Sequence, residues 1–117
     1  MRHIESQIQI ACVRWFRYQY PQYSILLIAI PNGGARGKVE AAIMKAEGVT
    51  AGAADLALFV PSCGYHGLFI EMKTKTGRQQ PTQKLWQADV ESQGYKYCIC
   101  RSLEDFIETI SSYLDTN

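Results

Sequence analysis

The sequence has 117 residues, room for one hydrophobic core and not for two. Apolar residues make up 47% and charged residues 20%, which excludes a disordered or collagen-like chain. Twelve Lys and Arg oppose eleven Asp and Glu for a formal net charge of +1, so bulk charge selects no partner and only its distribution can. The longest apolar run, Ile25 to Pro31, falls far short of the roughly 18 residues a membrane span needs, so no membrane partner is expected. The start, Met1 to Glu5, carries no signal-peptide core, and an intracellular protein is expected. The four cysteines, Cys12, Cys63, Cys98 and Cys100, form no C-x-x-C pair and sit at no zinc-ligand spacing from His3 or His66. Reduced thiols packed as small hydrophobes are expected.

Ile4 to Tyr20 reads as an amphipathic helix with Ile4, Ile8, Ala11, Trp15 and Tyr18 inward, ended by Pro21. Ser24 to Ile30 is apolar at consecutive positions, as a strand covered on both faces would be. Pro31 to Gly34 is a turn, and Arg36 to Glu47 a second helix stopped by Gly48. Asp55 to Val60 and Leu68 to Thr74 are two short strands joined by a seven-residue loop, readable as an antiparallel hairpin. Thr82, after Pro81, caps a helix to Gln93 with Leu85, Trp86 and Val90 inward. Tyr95 to Arg101 is a strand, and Ser102 caps a last helix through Leu114 with Phe106, Ile110 and Tyr113 inward. The order α-β-α-β-β-α-β-α predicts one α/β domain over residues 1–117. A mixed sheet flanked by helices follows, because parallel neighbours need a crossover.

Three charged residues in the hairpin carry the chemical interest. Glu71 and Lys73 lie two apart in one strand and share a face. If Val60 and Gly67 flank the loop symmetrically, paired positions sum to about 127, which sets Asp55 opposite Met72 and beside Glu71. Burying such groups costs several kcal/mol per ion unless something compensates. A plain Glu71–Lys73 ion pair is one compensator, and an oxygen-loving divalent cation between two carboxylates is another. Met72 to Lys84 then holds Lys73, Lys75, Arg78 and Lys84 with no acidic residue, whereas the last helix carries Glu104, Asp105 and Glu108. An acidic pair ringed by cations suits a phosphodiester that must be both held and attacked.

The ordered set Glu5-x-x-x-Gln9, Pro31-Asn-Gly-Gly-x-Arg36, Gly48-Val-x-x-Gly-x-x-Asp-Leu56, Phe69-Ile-Glu-Met-Lys-Thr74, Gly77, Gln83-x-x-Trp86 and Gly94-Tyr95 resembles the VRR-NUC (virus-type replication-repair nuclease) domain of the PD-(D/E)XK nuclease superfamily. The similarity runs over nearly the whole chain. One departure is Ala54, where the superfamily signature has Pro before the Asp. The resemblance implies a restriction-endonuclease-like fold and a metal-dependent DNA endonuclease leaving 5′-phosphate and 3′-hydroxyl ends. It makes Asp55 and Glu71 ligands of Mg²⁺ or Mn²⁺, with the Met72 carbonyl, and Lys73 the catalytic lysine. Glu5 and Gln83 match residues that the family brings to the site, and Asn32 and Arg36 a loop suited to a phosphate. Lys75, Arg78 and Lys84 would contact DNA. Stand-alone relatives of this kind resemble phage or prophage proteins, and some act as homodimers on branched DNA such as four-way junctions. The alternative is a non-catalytic nucleic-acid-binding subunit that keeps the fold.

Other features point elsewhere or nowhere. Gly33 to Lys38 is not a phosphate-binding P-loop, because Asn32 and Val39 stand where Gly and Ser or Thr are required. His66 falls in the hairpin loop, away from Asp55, as a surface histidine. Trp15 and Trp86 sit at helical apolar spacing as core residues. Tyr18, Tyr20 and Tyr23, with Arg14 and Arg17, suit either nucleic-acid contact or a helix end packed on the sheet.

Overall fold

A computed structural model describes residues 2–31 and 37–115. Four helices and four strands alternate in the expected order. They are α1 Arg2–Gln19, β1 Leu27–Ala29, α2 Lys38–Ala46, β2 Leu56–Leu58, β3 Leu68–Met72, α3 Pro81–Ser92, β4 Lys96–Cys100 and α4 Leu103–Leu114. The strands form one sheet in the order β1-β2-β3-β4. The first two pairings are antiparallel and β3–β4 is parallel across the α3 crossover, giving the mixed sheet.

One face of this sheet is sealed. Leu27, Leu56, Leu58, Leu68, Ile70, Met72 and Cys100 meet Cys12 and Phe16 of α1 and Phe106, Ile110 and Tyr113 of α4. The α4 stripe is the expected one, and Ser102 caps the helix by accepting the Asp105 N–H at 3.0 Å. Tyr113 also donates its hydroxyl to the Val60 carbonyl at 2.7 Å, so its polar end is satisfied inside the core. Cys12 and Cys100 are buried, Cys98 is partly so, and Cys63 is exposed in the hairpin loop, unlike the packed thiol expected of it. Burial pushes the Cys12 thiol up to about 12 and the Cys100 thiol up to about 11, far from thiolate chemistry.

The inward stripe of α1 is rotated from the expected one. Cys12 and Phe16 are buried, whereas Ile4 is exposed and Tyr18 is 87% exposed. The helix carries apolar residues on several faces, and those three and four apart from Glu5 and Ile8 make the packed line. Trp15 does pack on the core, edge-on to Phe106 at 6.1 Å. Tyr20 and Tyr23 also pack there, the helix-end alternative of the two.

The expected strand over 24–30 is shorter and one-sided. Residues Pro21–Leu26 form a 3₁₀ turn. Arg17 holds it by donating to the Ser24 and Leu27 carbonyls at 3.1 and 3.2 Å. In β1 only Leu27 is buried, while Ile28, on the opposite face, and Ala29, at the strand end on the Leu27 face, are exposed. Ile28 is bare because α3 lies over β3 and β4, where Trp86 meets Phe69 edge-on at 4.8 Å, and does not extend over β1. Leu85, expected inward on α3, is likewise exposed.

The β2–β3 register sums to 126, not 127. At the loop tip Ser62 does pair with Tyr65, across a turn with Cys63 and Gly64 at φ +53° and +83°. Between tip and ladder, the β2 side holds three residues (59–61) and the β3 side two (66–67). Pro61, which has no N–H, sits in that bulge. Extending the ladder by one residue brings Asp55 level with Glu71 rather than Met72.

Candidate active site

Asp55 stands just before β2, on a loop whose position is fixed by backbone contacts. Its N–H donates to the Ile70 carbonyl at 3.1 Å, and its carbonyl accepts from Ile30 at 2.9 Å. Upstream, Gly52 has φ +90°, and a Cβ there would strike the Thr82 backbone. Only glycine lets this loop pack so closely on the start of α3. The Asp55 carboxylate is thereby held against β3, where Oδ2 accepts the Met72 N–H at 2.7 Å. In a strand the C=O of a residue leaves on the same edge as its N–H, so the Met72 carbonyl also turns toward Asp55.

Glu71 and Lys73 rise from the β3 face opposite the sealed core. They are 3% and 9% exposed, and Lys73 Nζ lies 3.7 Å from Glu71 Oε2. The same Oε2 accepts from Gln83 Nε2 at 2.9 Å, while Gln83 Oε1 accepts the Gln80 N–H at 2.7 Å. Gln80, not Thr82, is the cap of α3, in a reciprocal box with Gln83 and with Pro81 as the first helical residue. One amide therefore starts the helix and grips the carboxylate.

Glu71 Oε1 is buried with no hydrogen-bond partner. Burial pushes the Glu71 carboxyl up to about 8, and the Asp55 charge adds to this more than Lys73 offsets. Glu5, in the first turn of α1, contributes in the same direction, which places its charge near the pair. Asp55, Glu71, Lys73, Gln83 and the Met72 backbone thus gather at one end of the sheet, with the Glu5 charge close enough to act on Glu71. The donor set is oxygen, as a hard divalent cation requires, and the unpartnered Oε1 fits such an ion. Among the described residues no group of three or more His, Cys, Asp or Glu converges, so an ion there would complete its shell with backbone oxygen and water.

Lys75, Arg78 and Lys84 are exposed beyond Lys73. Asn32 and Arg36 lie outside the described residues. Sequence reasoning missed Arg101, which follows β4. Its guanidinium donates to the carbonyls of Thr74, Lys75 and Gly77 at 2.8, 3.4 and 2.6 Å and so shapes the turn that displays Lys75. Its own N–H donates to Asp105 at 2.9 Å, which brings the acidic start of α4 near the basic turn although the two are distant in sequence. A lone Arg between an apolar strand and an acidic helix carries no pattern that announces this. His66 is exposed in the hairpin loop, against Tyr95 at 5.7 Å.

No helix of the described residues is long and apolar enough to cross a membrane. No curated protein matches this sequence. A solved structure named "VRR_NUC domain protein" superposes with a TM-score of 0.83 at 26% identity, covering 95% of this chain and 88% of that one. The VRR-NUC domain model matches residues 4–104, a span that holds Glu5, Asp55, Glu71, Lys73 and Gln83. With Asp55, Glu71, Lys73 and Gln83 drawn together on the same fold, the chain belongs to the VRR-NUC family, a nuclease-type family.

Proposed function

We propose that this protein is a Mg²⁺- or Mn²⁺-dependent DNA endonuclease that works as a homodimer on branched DNA such as four-way junctions. The observation that carries the reading is Glu71 Oε1, a buried carboxylate oxygen without a partner beside a second carboxylate, under a lysine. A binding module has no use for two repelling carboxylates on the face that a phosphate must approach. Asp55, Glu71 and the Met72 carbonyl would hold the ion. When bound, it supplies Lewis-acid polarisation of the scissile phosphate and a more acidic water.

The chain's own groups do the rest. Gln83 fixes Oε2 of Glu71 and so leaves Oε1 to face the site. Lys73 places a cation where charge grows on the phosphate in the transition state. Glu5 adds a further carboxylate to orient water. Lys75, Arg78 and Lys84 bind flanking phosphates, as would Asn32 and Arg36. Intracellular action in a phage or prophage setting accords with this reading.

The test is cleavage of branched and single-stranded DNA with each metal, with and without chelator. Wild type should cut, and Asp55→Ala and Glu71→Ala should lose metal-dependent cleavage while remaining folded. Lys73→Ala should lower the single-turnover rate at saturating protein. Lys75→Ala and Arg78→Ala should instead weaken binding and flatten its salt dependence by about one counterion each. Tight binding without cleavage on every substrate and with both metals overturns the enzyme and leaves the binding subunit.

A further inference from the structure

One pocket beside the acidic pair has no part in the chemistry described so far. It measures about 380 Å³, within the roughly 300–1,000 Å³ of small-ligand sites. Ile30, Val49, Ala53 and Trp86 give it an apolar lining, and the exposed Glu47 and Thr50 complete its rim. Ala53 precedes Asp55 by two residues, and the Ile30 N–H donates to the Asp55 carbonyl. On α3, Trp86 follows Gln83 by three residues, about 4.5 Å of helix rise. Gly48, Val49 and Trp86 belong to the stretches that carry the family resemblance, yet holding an ion and activating a phosphate use none of them.

The walls of the pocket are fixed before anything enters. Gly48 turns the chain at φ +108° beyond the end of α2. The N–H groups of Gly48 and Val49 donate to the Lys45 and Met44 carbonyls at 3.0 Å each, and the Thr50 hydroxyl donates to the Gly48 carbonyl at 2.9 Å. Trp86 is held between Phe69 and Tyr97, edge-on to each at 4.8 and 6.3 Å. Glu47 ends α2, where the helix dipole opposes an anion, so helix stability does not account for its charge.

An aromatic wall, aliphatic neighbours and one carboxylate suit a flat, partly apolar group that offers an N–H. A phosphate does not suit them, because Glu47 repels it. A nucleobase does, provided that it has left the stack, since a base inside a duplex has both faces covered. We propose that this pocket receives one unstacked nucleobase of the DNA strand whose phosphate meets Asp55 and Glu71, with Trp86 against the base and Glu47 accepting from its exocyclic amine. This rests on the nuclease reading for its substrate, and it makes an unpaired nucleotide beside the scissile bond the preferred one.

Binding in Ca²⁺, which requires no cleavage, tests it. The probes are short single strands of equal phosphate count, made of cytosines, of thymines or of abasic sugars. In a Trp15→Phe background Trp86 is the remaining tryptophan. Its emission should fall with the cytosine strand and not with the abasic one. The cytosine strand should also bind about tenfold more tightly than the abasic one, within what one base–aromatic stack supplies. Val49→Phe fills the pocket and should abolish that difference while leaving affinity for the abasic strand unchanged. Thymine has a carbonyl where cytosine has its amine, so its strand should bind several-fold more weakly, and Glu47→Ala should make the two pyrimidines equal.

Trp86 emission that responds alike to cytosine and abasic strands overturns the proposal. So does a Val49→Phe protein that still prefers cytosine with its abasic affinity intact, because the bases are then read elsewhere. Equal binding of cytosine and thymine by wild type overturns the Glu47 contact. Should Val49→Phe fail to fold, Trp86 emission and Glu47→Ala, at an exposed position, still decide. These outcomes are separable from the chemistry: a protein that distinguishes bases but cuts nothing sinks the nuclease reading alone, and one that cuts yet ignores bases sinks this proposal alone.

Discussion

The two faces of β3 are made of one five-residue strand and its next residue, yet they do different things. Leu68, Ile70 and Met72 point into a sealed apolar layer between the sheet and helices α1 and α4. Phe69, Glu71 and Lys73 point the other way, toward α3, and two of those three are charged. Side-chain alternation with a period of two thus separates the layer that holds the fold together from a buried cluster of ionisable groups, within six residues. The polar face carries an electrostatic cost, and the apolar face offsets it.

That contrast can be broken most severely from the sealed side. Ile70→Ala, at a position with no solvent exposure, should cost about 2–5 kcal/mol in chemical denaturation, since the cavity cannot collapse in the middle of a sheet. A loss well under 1 kcal/mol would mean the sealed layer is looser than its burial implies.

The polar face should respond in the opposite sense. In metal-free protein the folded-state pKa of Glu71 stands near 8, above its ordinary value of 4.5. Between those values the folded state holds a proton that the unfolded state has released, so stability falls as pH rises through the window and levels off above it. Glu71→Gln should flatten this fall and raise stability above about pH 8. Thermal melts of both proteins with chelator present, from pH 4 to 9, measure it. A wild-type curve no steeper than the variant's would show that the carboxylate is not strained.

The smallest effect belongs to the end of the sealed layer. Ser102→Ala removes the α4 cap and should cost about 1 kcal/mol, leaving DNA cleavage untouched.

What could be read in advance follows the clarity of each pattern. Helix α4 carries its large apolar residues on one side and a serine cap before them, and its stripe and start were both legible. In α1, isoleucine, valine and aromatic residues occupy several faces, and only packing against the sheet chooses Cys12 and Phe16 over Ile4 and Tyr18. The hairpin register depends on one extra residue beside Pro61, which no periodicity records. Asp55, Glu71 and Lys73 stood out as charges in apolar strands, and the family resemblance brought in Gln83 and Glu5. The Gln80–Gln83 box was harder to see, because glutamine is a weak cap alone and succeeds here through reciprocity. Arg101 acts on backbone carbonyls, which have no sequence signature.

The position of Glu5 on α1 has a consequence for the order in which the site can assemble. Asp55, Glu71, Lys73 and Gln83 all lie between residues 55 and 83, joined by a hairpin and one crossover. Glu5, whose charge acts on Glu71, comes from the start of the chain, on the far side of β1 and α2 in sequence. The entropy of closing a loop grows with its length, so the four-residue part is the cheaper one to form and Glu5 joins at the greater cost. Loosening α1 from α4 would therefore move the Glu5 charge away while Asp55, Glu71 and Gln83 stayed together.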